Sequence, residues 1–150
     1  MQAREFLFFT EELAMKSLPA GFPQPERRVM WTILQLHYGD PNVHFELQPM
    51  PSRQRVELGL HFEGAVDAND RWAACLAGRA PELMAALGDG WELEEWTSSW
   101  RRLHRTFSFE RLTRDLGHEV AEELVKALHV LVPIVREPAI VEGGAPTARR

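Results

Sequence analysis

The chain has 150 residues, 45% of them hydrophobic, and a formal net charge of −5. That length fits one domain burying roughly 68–70% of its unfolded surface, and the apolar content excludes a globally disordered chain. The acidic balance argues against a general nucleic-acid or membrane-surface binder, though a local basic patch survives it.

Residues 2–18 read either as one helix or as a short extended piece with a helix starting at Thr10, where Glu11 and Glu12 fill the first turn. The apolar run 6–9 is too short, and its flanks too acidic, for a signal peptide, and no stretch approaches the ~20 apolar residues of a membrane span. A soluble, cytoplasmic protein is expected. Pro19, Gly21, Pro23 and Pro25 form a connector. The next segment reads as a helix starting near Pro25, with Val29, Ile33 and Leu36 as its stripe and Gly39-Asp40-Pro41 as its stop.

Residues 43–63 carry the clearest strand signal. Val43, Phe45 and Leu47, then Val56, Leu58, Leu60 and Phe62, alternate with polar residues, and a period of two sets all seven on one face of a hairpin. Pro49, Pro51 and Ser52 interrupt the pattern where the chain reverses. A helix follows over 68–87, with Asp67 as its N-cap and Trp72, Leu76, Ala80, Leu83 and Leu87 in phase. Pro81 either kinks it or divides it near Arg79.

A second hairpin is expected over 91–107, turning at Thr97-Ser98-Ser99. The last helix, capped by Ser108, carries Leu112, Leu116, Val120, Leu124, Leu128, Leu131 and Val135 at helical spacing, and Pro133 bends or ends it. Residues 137–150 read as a mobile tail after a single domain over 1–136. The order α-ββ-α-ββ-α predicts an α+β fold, with an antiparallel sheet of about four strands and helices packed on one face.

Helix, hairpin with Arg55-Val56-Glu57-Leu58-Gly59-Leu60 as its second arm, helix ending Leu87-Gly88, Trp91-Glu92-Leu93-Glu94-Glu95-Trp96 and a long final helix follow one another. Over residues 25–135 this order resembles an uncharacterised bacterial domain found at the C-terminus of predicted restriction-type or nuclease-like proteins. The resemblance implies a place near nuclease or defence machinery and brings no catalytic residues with it.

On the polar face of the first hairpin, pairing Leu47 with Leu58 would set His44 opposite His61, with Glu46 and Glu63 one step along. Two imidazoles and two carboxylates could then hold a divalent metal. Pairing Leu47 with Val56 would separate the histidines and set Glu46 opposite Glu57. The bland reading of this face is a solvated surface of mixed charge. Glu92, Glu94, Trp96, Trp100, Arg102 and His104 share this face. Trp96, Trp100, Arg102 and His104 suit a protein contact or a twofold dimer, while the bland alternative packs both tryptophans under a helix. Arg101, Arg102 and Arg105 could meet phosphates, but Glu92, Glu94 and Glu95 cancel much of that potential.

His118-Glu119-Val120-Ala121-Glu122 opens like a zinc-protease helix but has Glu122 where the second histidine belongs. The single cysteine, Cys75, excludes an intramolecular disulfide framework and has no histidine close in sequence to activate it. Phosphate-binding glycine loops and a nucleophile elbow are absent from the sequence, so no cofactor is expected. The leading expectation is a non-catalytic, homodimeric interaction module of a bacterial cytoplasmic system. The alternative is a small metal- or ligand-binding protein or enzyme using the His44/His61 face.

Overall fold

A computed structural model describes residues 1–137, so the expected tail over 137–150 lies, apart from Glu137, outside the described residues. In chain order the elements are α1 (Ala3–Ser17), β1 (Glu26–Met30), β2 (Ile33–His37), β3 (Val43–Met50), a 3-10 turn (Pro51–Arg53), β4 (Arg55–Phe62), α2 (Val66–Gly78), α3 (Ala80–Leu87), β5 (Glu92–Glu95), β6 (Arg101–Ser108) and α4 (Arg114–Val135). The fold is α+β with an antiparallel sheet. The sheet has six strands rather than about four, in the order β1-β2-β3-β4-β6-β5.

The additional strands come from the segment expected to be a helix. Met30 pairs with Ile33 across a two-residue loop, Trp31-Thr32, and Trp31 holds a positive φ of 57° without being glycine. The Arg4 guanidinium, reaching from α1, donates to the Trp31 carbonyl. Gly39-Asp40-Pro41 is the β2–β3 connection instead of a helix stop. Asp40 Oδ1 accepts from the Asn42 N–H at 2.9 Å, an Asx turn that aims the chain into β3.

In the central hairpin Leu47 pairs with Leu58, Phe45 with Leu60, and Val43 with Phe62. Leu36 and Leu103 extend the Phe45–Leu60 row onto β2 and β6. These side chains form one core with Phe6 and Leu7 of α1, Trp72 and Leu76 of α2, Leu83 and Leu87 of α3, and Leu124 and Leu128 of α4. Full burial of each large apolar side chain stabilises by about 1.5–3 kcal/mol, which makes this row the mechanical centre of the sheet.

The helices begin and end largely where local chemistry directs. α1 runs unbroken through Thr10, which is buried and caps nothing. The 68–87 segment divides into two helices, with Arg79 between them and Pro81 in the first turn of α3, where its missing N–H costs no internal bond. The N-cap residues are Ala65 for α2, in place of Asp67, and Thr113 for α4, in place of Ser108. Thr113 Oγ1 accepts from the Leu116 N–H at 3.1 Å. α4 continues through Pro133 to Val135, with Leu131, Val132 and Ile134 buried around it. α1 and α4 approach closely at Gly117, where an added Cβ would lie 2.7 Å from the Phe9 ring.

Candidate metal centre

The core register also fixes the opposite face. Because Leu47 pairs with Leu58, His44 sits opposite His61, Glu46 opposite Gly59, and Gln48 opposite Glu57. On β6, His104 opposes Gly59 and Arg102 opposes His61; on β5, Glu92 opposes His104 and Glu94 opposes Arg102. A row therefore runs Gln35–Glu46–Gly59–His104–Glu92 beside a second, His37–His44–His61–Arg102–Glu94.

This polar face is not a solvated one. His44 and His61 are each 2% exposed, Glu57 6%, His104 7% and Glu46 9%. Charges so placed need partners, since an unpaired ion out of water is strongly destabilising. Arg55 pairs with Glu57 (Nε–Oε2 3.2 Å), and Arg102 pairs with Glu94 (Nε–Oε1 2.7 Å). Glu46, Glu63 and Glu92 have imidazoles as their ionic partners.

His44, Glu46, His61 and Glu63 bring one ligand atom each to within 4.8 Å of one another. His44 Nε2 lies 3.1 Å from Glu46 Oε1 and 3.9 Å from Glu63 Oε1; His61 Nδ1 lies 3.0 Å from Glu63 Oε2 and 3.9 Å from Glu46 Oε1. The two rings stack with centroids 5.5 Å apart. Nitrogen and oxygen donors bound tetrahedrally to zinc at about 2.0–2.1 Å lie roughly 3.3–3.4 Å from each other, so the widest pair in this cluster would close by up to about 1.4 Å to form a coordination shell.

The surroundings orient the donors. His44 Nδ1 donates to the Pro41 carbonyl at 2.8 Å, and Gln35 Nε2 donates to Glu46 Oε1 at 3.2 Å. A backbone carbonyl on the far nitrogen is the arrangement that turns the other nitrogen of a neutral imidazole into a metal-facing lone pair. With Nδ1 donating to Pro41, a hydrogen bond from Nε2 to Glu46 needs a second ring proton, so the two bonds together belong to the imidazolium form. Burial alone pulls the His44 pKa down, but the hydrogen bonds to Glu46 and Pro41 and the charges of Glu63 and Glu46 outweigh it and raise it above the ordinary value. Burial pushes Glu46 up, and the His44 bond, the His61 and His44 charges and the Gln35 bond bring it below the ordinary carboxylate value.

The four residues proposed from sequence as metal ligands are thus brought together. The four proposed contact residues are divided. Trp96 and Trp100 are each 37% exposed, with ring centroids 6.1 Å apart, on the connection whose Thr97 Oγ1 accepts from the Trp100 N–H at 2.8 Å. Trp96 also meets His61 in a T-shaped contact, and the Arg102 guanidinium lies over the Trp96 ring. Arg102 and His104 lie within the ion pairs of the polar face. Arg101 and Arg105 project to the opposite, helix-covered face, where Arg101 Nε binds Asp70 at 2.9 Å and Arg105 binds Glu123. That arrangement separates them from Arg102 and breaks up the basic patch.

Sequence reasoning missed the supporting residues Gln35 and Pro41, because both lay in or beside the misassigned segment. It also missed Trp31, which stands 81% exposed at the tip of the first hairpin. No family model, curated protein or solved structure matches the chain.

Proposed function

We propose that the protein binds a divalent transition-metal ion, with zinc the best fit to mixed imidazole and carboxylate donors, through His44, Glu46, His61 and Glu63. The observation that carries this reading is the convergence of three buried donors, His44, Glu46 and His61, and the half-buried Glu63 just past β4, with His44 held at its far nitrogen by the Pro41 carbonyl. Four protein ligands fill a tetrahedral shell, so the ion is structural: it ties the end of β4 to β3 and performs no chemistry on a substrate.

The test is zinc titration of chelator-treated protein, followed by native mass spectrometry and thermal unfolding, against His44→Gln/His61→Gln. Retention of zinc by the wild type and its loss in the variant support the site. A wild type that takes up no zinc, or a variant that binds as tightly, overturns it.

A second reading, the non-catalytic interaction module, is supported by the exposed indoles of Trp31, Trp96 and Trp100, a residue type enriched at protein contacts. In this reading the Trp96–Trp100 edge meets its own copy in a twofold dimer, within the bacterial nuclease-associated setting that the resemblance implies. Sedimentation of Trp96→Ala/Trp100→Ala should then give monomers where the wild type gives dimers. A monomeric wild type or a dimeric variant rejects it.

A further inference from the structure

The far edge of the same face carries a second constellation, formed by Glu92 and Glu94 of β5 and His104 of β6. We propose that these three residues form a second, weaker divalent-cation site, separate from the four-donor cluster on β3 and β4.

The argument starts at His104. Its Nδ1 lies 3.0 Å from Glu57 Oε1, and a carboxylate only accepts, so Nδ1 carries the proton and donates. Glu57 is itself fixed, receiving Thr106 Oγ1 at 3.0 Å and the Arg55 ion pair. In the neutral ring, Nε2 therefore presents a lone pair. That atom is buried on a residue only 7% exposed and makes no hydrogen bond. It nevertheless faces two carboxylate oxygens, Glu94 Oε1 at 3.1 Å and Glu92 Oε1 at 3.7 Å. A carboxylate–histidine pair whose free nitrogen points at further carboxylates is the outer and inner shell of a metal site in sequence. A cation between them would satisfy a buried nitrogen that, like Arg55 Nε, is left without a hydrogen bond on this face among the described residues.

The donor count sets its character. Three protein ligands leave a coordination position to solvent, and Glu94 is shared with the Arg102 guanidinium, which lowers the negative charge available. Glu92 is exposed, on the short terminal strand of the sheet. The second ion is therefore bound less tightly than the first and exchanges more readily. Its structural effect is to fasten the edge strand β5 to β6, which an isolated four-residue strand does poorly.

Native mass spectrometry with one and with two equivalents of zinc on the full chain tests the proposal. The wild type, Glu92→Gln/Glu94→Gln and His44→Gln/His61→Gln are compared. The expected counts are two ions, one and one. A single ion in the wild type that is lost with His44 and His61 overturns this second site and leaves the first intact. A single ion that survives the histidine changes but not the glutamate changes supports the second site and rejects the first. Two ions retained after loss of both glutamates overturn the proposal. If the double glutamate variant unfolds because Arg102 loses its partner, Glu92→Gln alone decides. Competition with a chelator should show at least tenfold weaker binding of the second ion, and unchanged binding overturns the site.

Discussion

His44 and His61 face each other across β3 and β4, with their ring planes 24° from parallel, and His44 Nε2 and His61 Nδ1 each lie about 3 Å from a different carboxylate. Neither ring reaches this position by itself; the Leu47–Leu58 pairing on the other side of the sheet puts both there. A slip of one residue would send every one of these side chains to the opposite face. The geometry of the cluster is consequently a by-product of core packing, and its stability tracks the hairpin's.

Zinc should therefore raise the melting temperature. Free zinc at 100 times the dissociation constant adds about 2.7 kcal/mol, which for a chain of this size is roughly 5–11 °C. Differential scanning fluorimetry with and without chelator measures this. His61→Gln should abolish most of the increment, whereas a wild type indifferent to zinc speaks against any bound ion.

Gly59 stands between the two clusters, opposite Glu46 on one side and His104 on the other. A Cβ built there would lie 2.7 Å from His104 Cβ and 2.9 Å from the Leu103 carbonyl oxygen. Backbone and Cβ atoms of a central strand cannot turn aside, so β4 and β6 would have to separate. Gly59→Ala should cost about 1–3 kcal/mol in urea unfolding, the usual scale of overpacking. It should also weaken zinc binding at His104 more than at His44. An alanine variant as stable as the parent contradicts the close approach.

The alternation in residues 43–63 made this hairpin legible, together with its face, and the choice between two registers was open to sequence because both kept the apolar set together. The β1–β2 hairpin was not legible for a specific reason. Val29, Met30, Ile33, Leu34 and Leu36 satisfy a helical stripe as well as they satisfy two short strands. The loop between them is Trp31-Thr32, without the Asn-Gly or Asp-Gly pair that announces a two-residue turn. Its left-handed residue is held by Arg4, a contact 27 residues away that no local pattern reports. The burial of the polar face was hidden likewise: alternation separates the faces, and only the assembled six strands show that histidines and glutamates cover one another. His104 looked like a surface contact residue because its partner Glu57 is 47 positions away.

Gly117 joins α4 to α1. In an exposed helix, replacing glycine by alanine would gain roughly 1 kcal/mol. Here the new methyl would meet two carbons of the Phe9 ring at 2.7 Å and Thr10 Oγ1 at 3.3 Å. Phe9 is held against Arg114 and His118, which limits how far its ring can withdraw. Overpacking of about 1–3 kcal/mol outweighs the propensity gain, so Gly117→Ala should be net destabilising. Adding Phe9→Leu should recover part of the loss, a coupling that a double-mutant cycle reads directly. Additive effects would separate the two positions and reject the contact.

Tyr38, the sole tyrosine of the chain, lies just past β2 and donates its hydroxyl to the Pro23 carbonyl at 3.1 Å. Burial pushes its phenol up to about 12, against a smaller downward pull from the Arg136 charge. The unfolded chain ionises near the ordinary value of about 10. A raised folded pKa favours the neutral form in the native state, so its contribution to stability is complete below pH 10 and is lost as pH rises from about 10 to 12. Absorbance at 295 nm should show the native phenol titrating near 12 and the urea-unfolded one near 10. Arg136→Gln should move the native midpoint higher still, since it removes a cation that favours the phenolate. A native midpoint near 10 would mean that Tyr38 is solvated, and would detach the end of β2 from the Pro23 connector that now covers it.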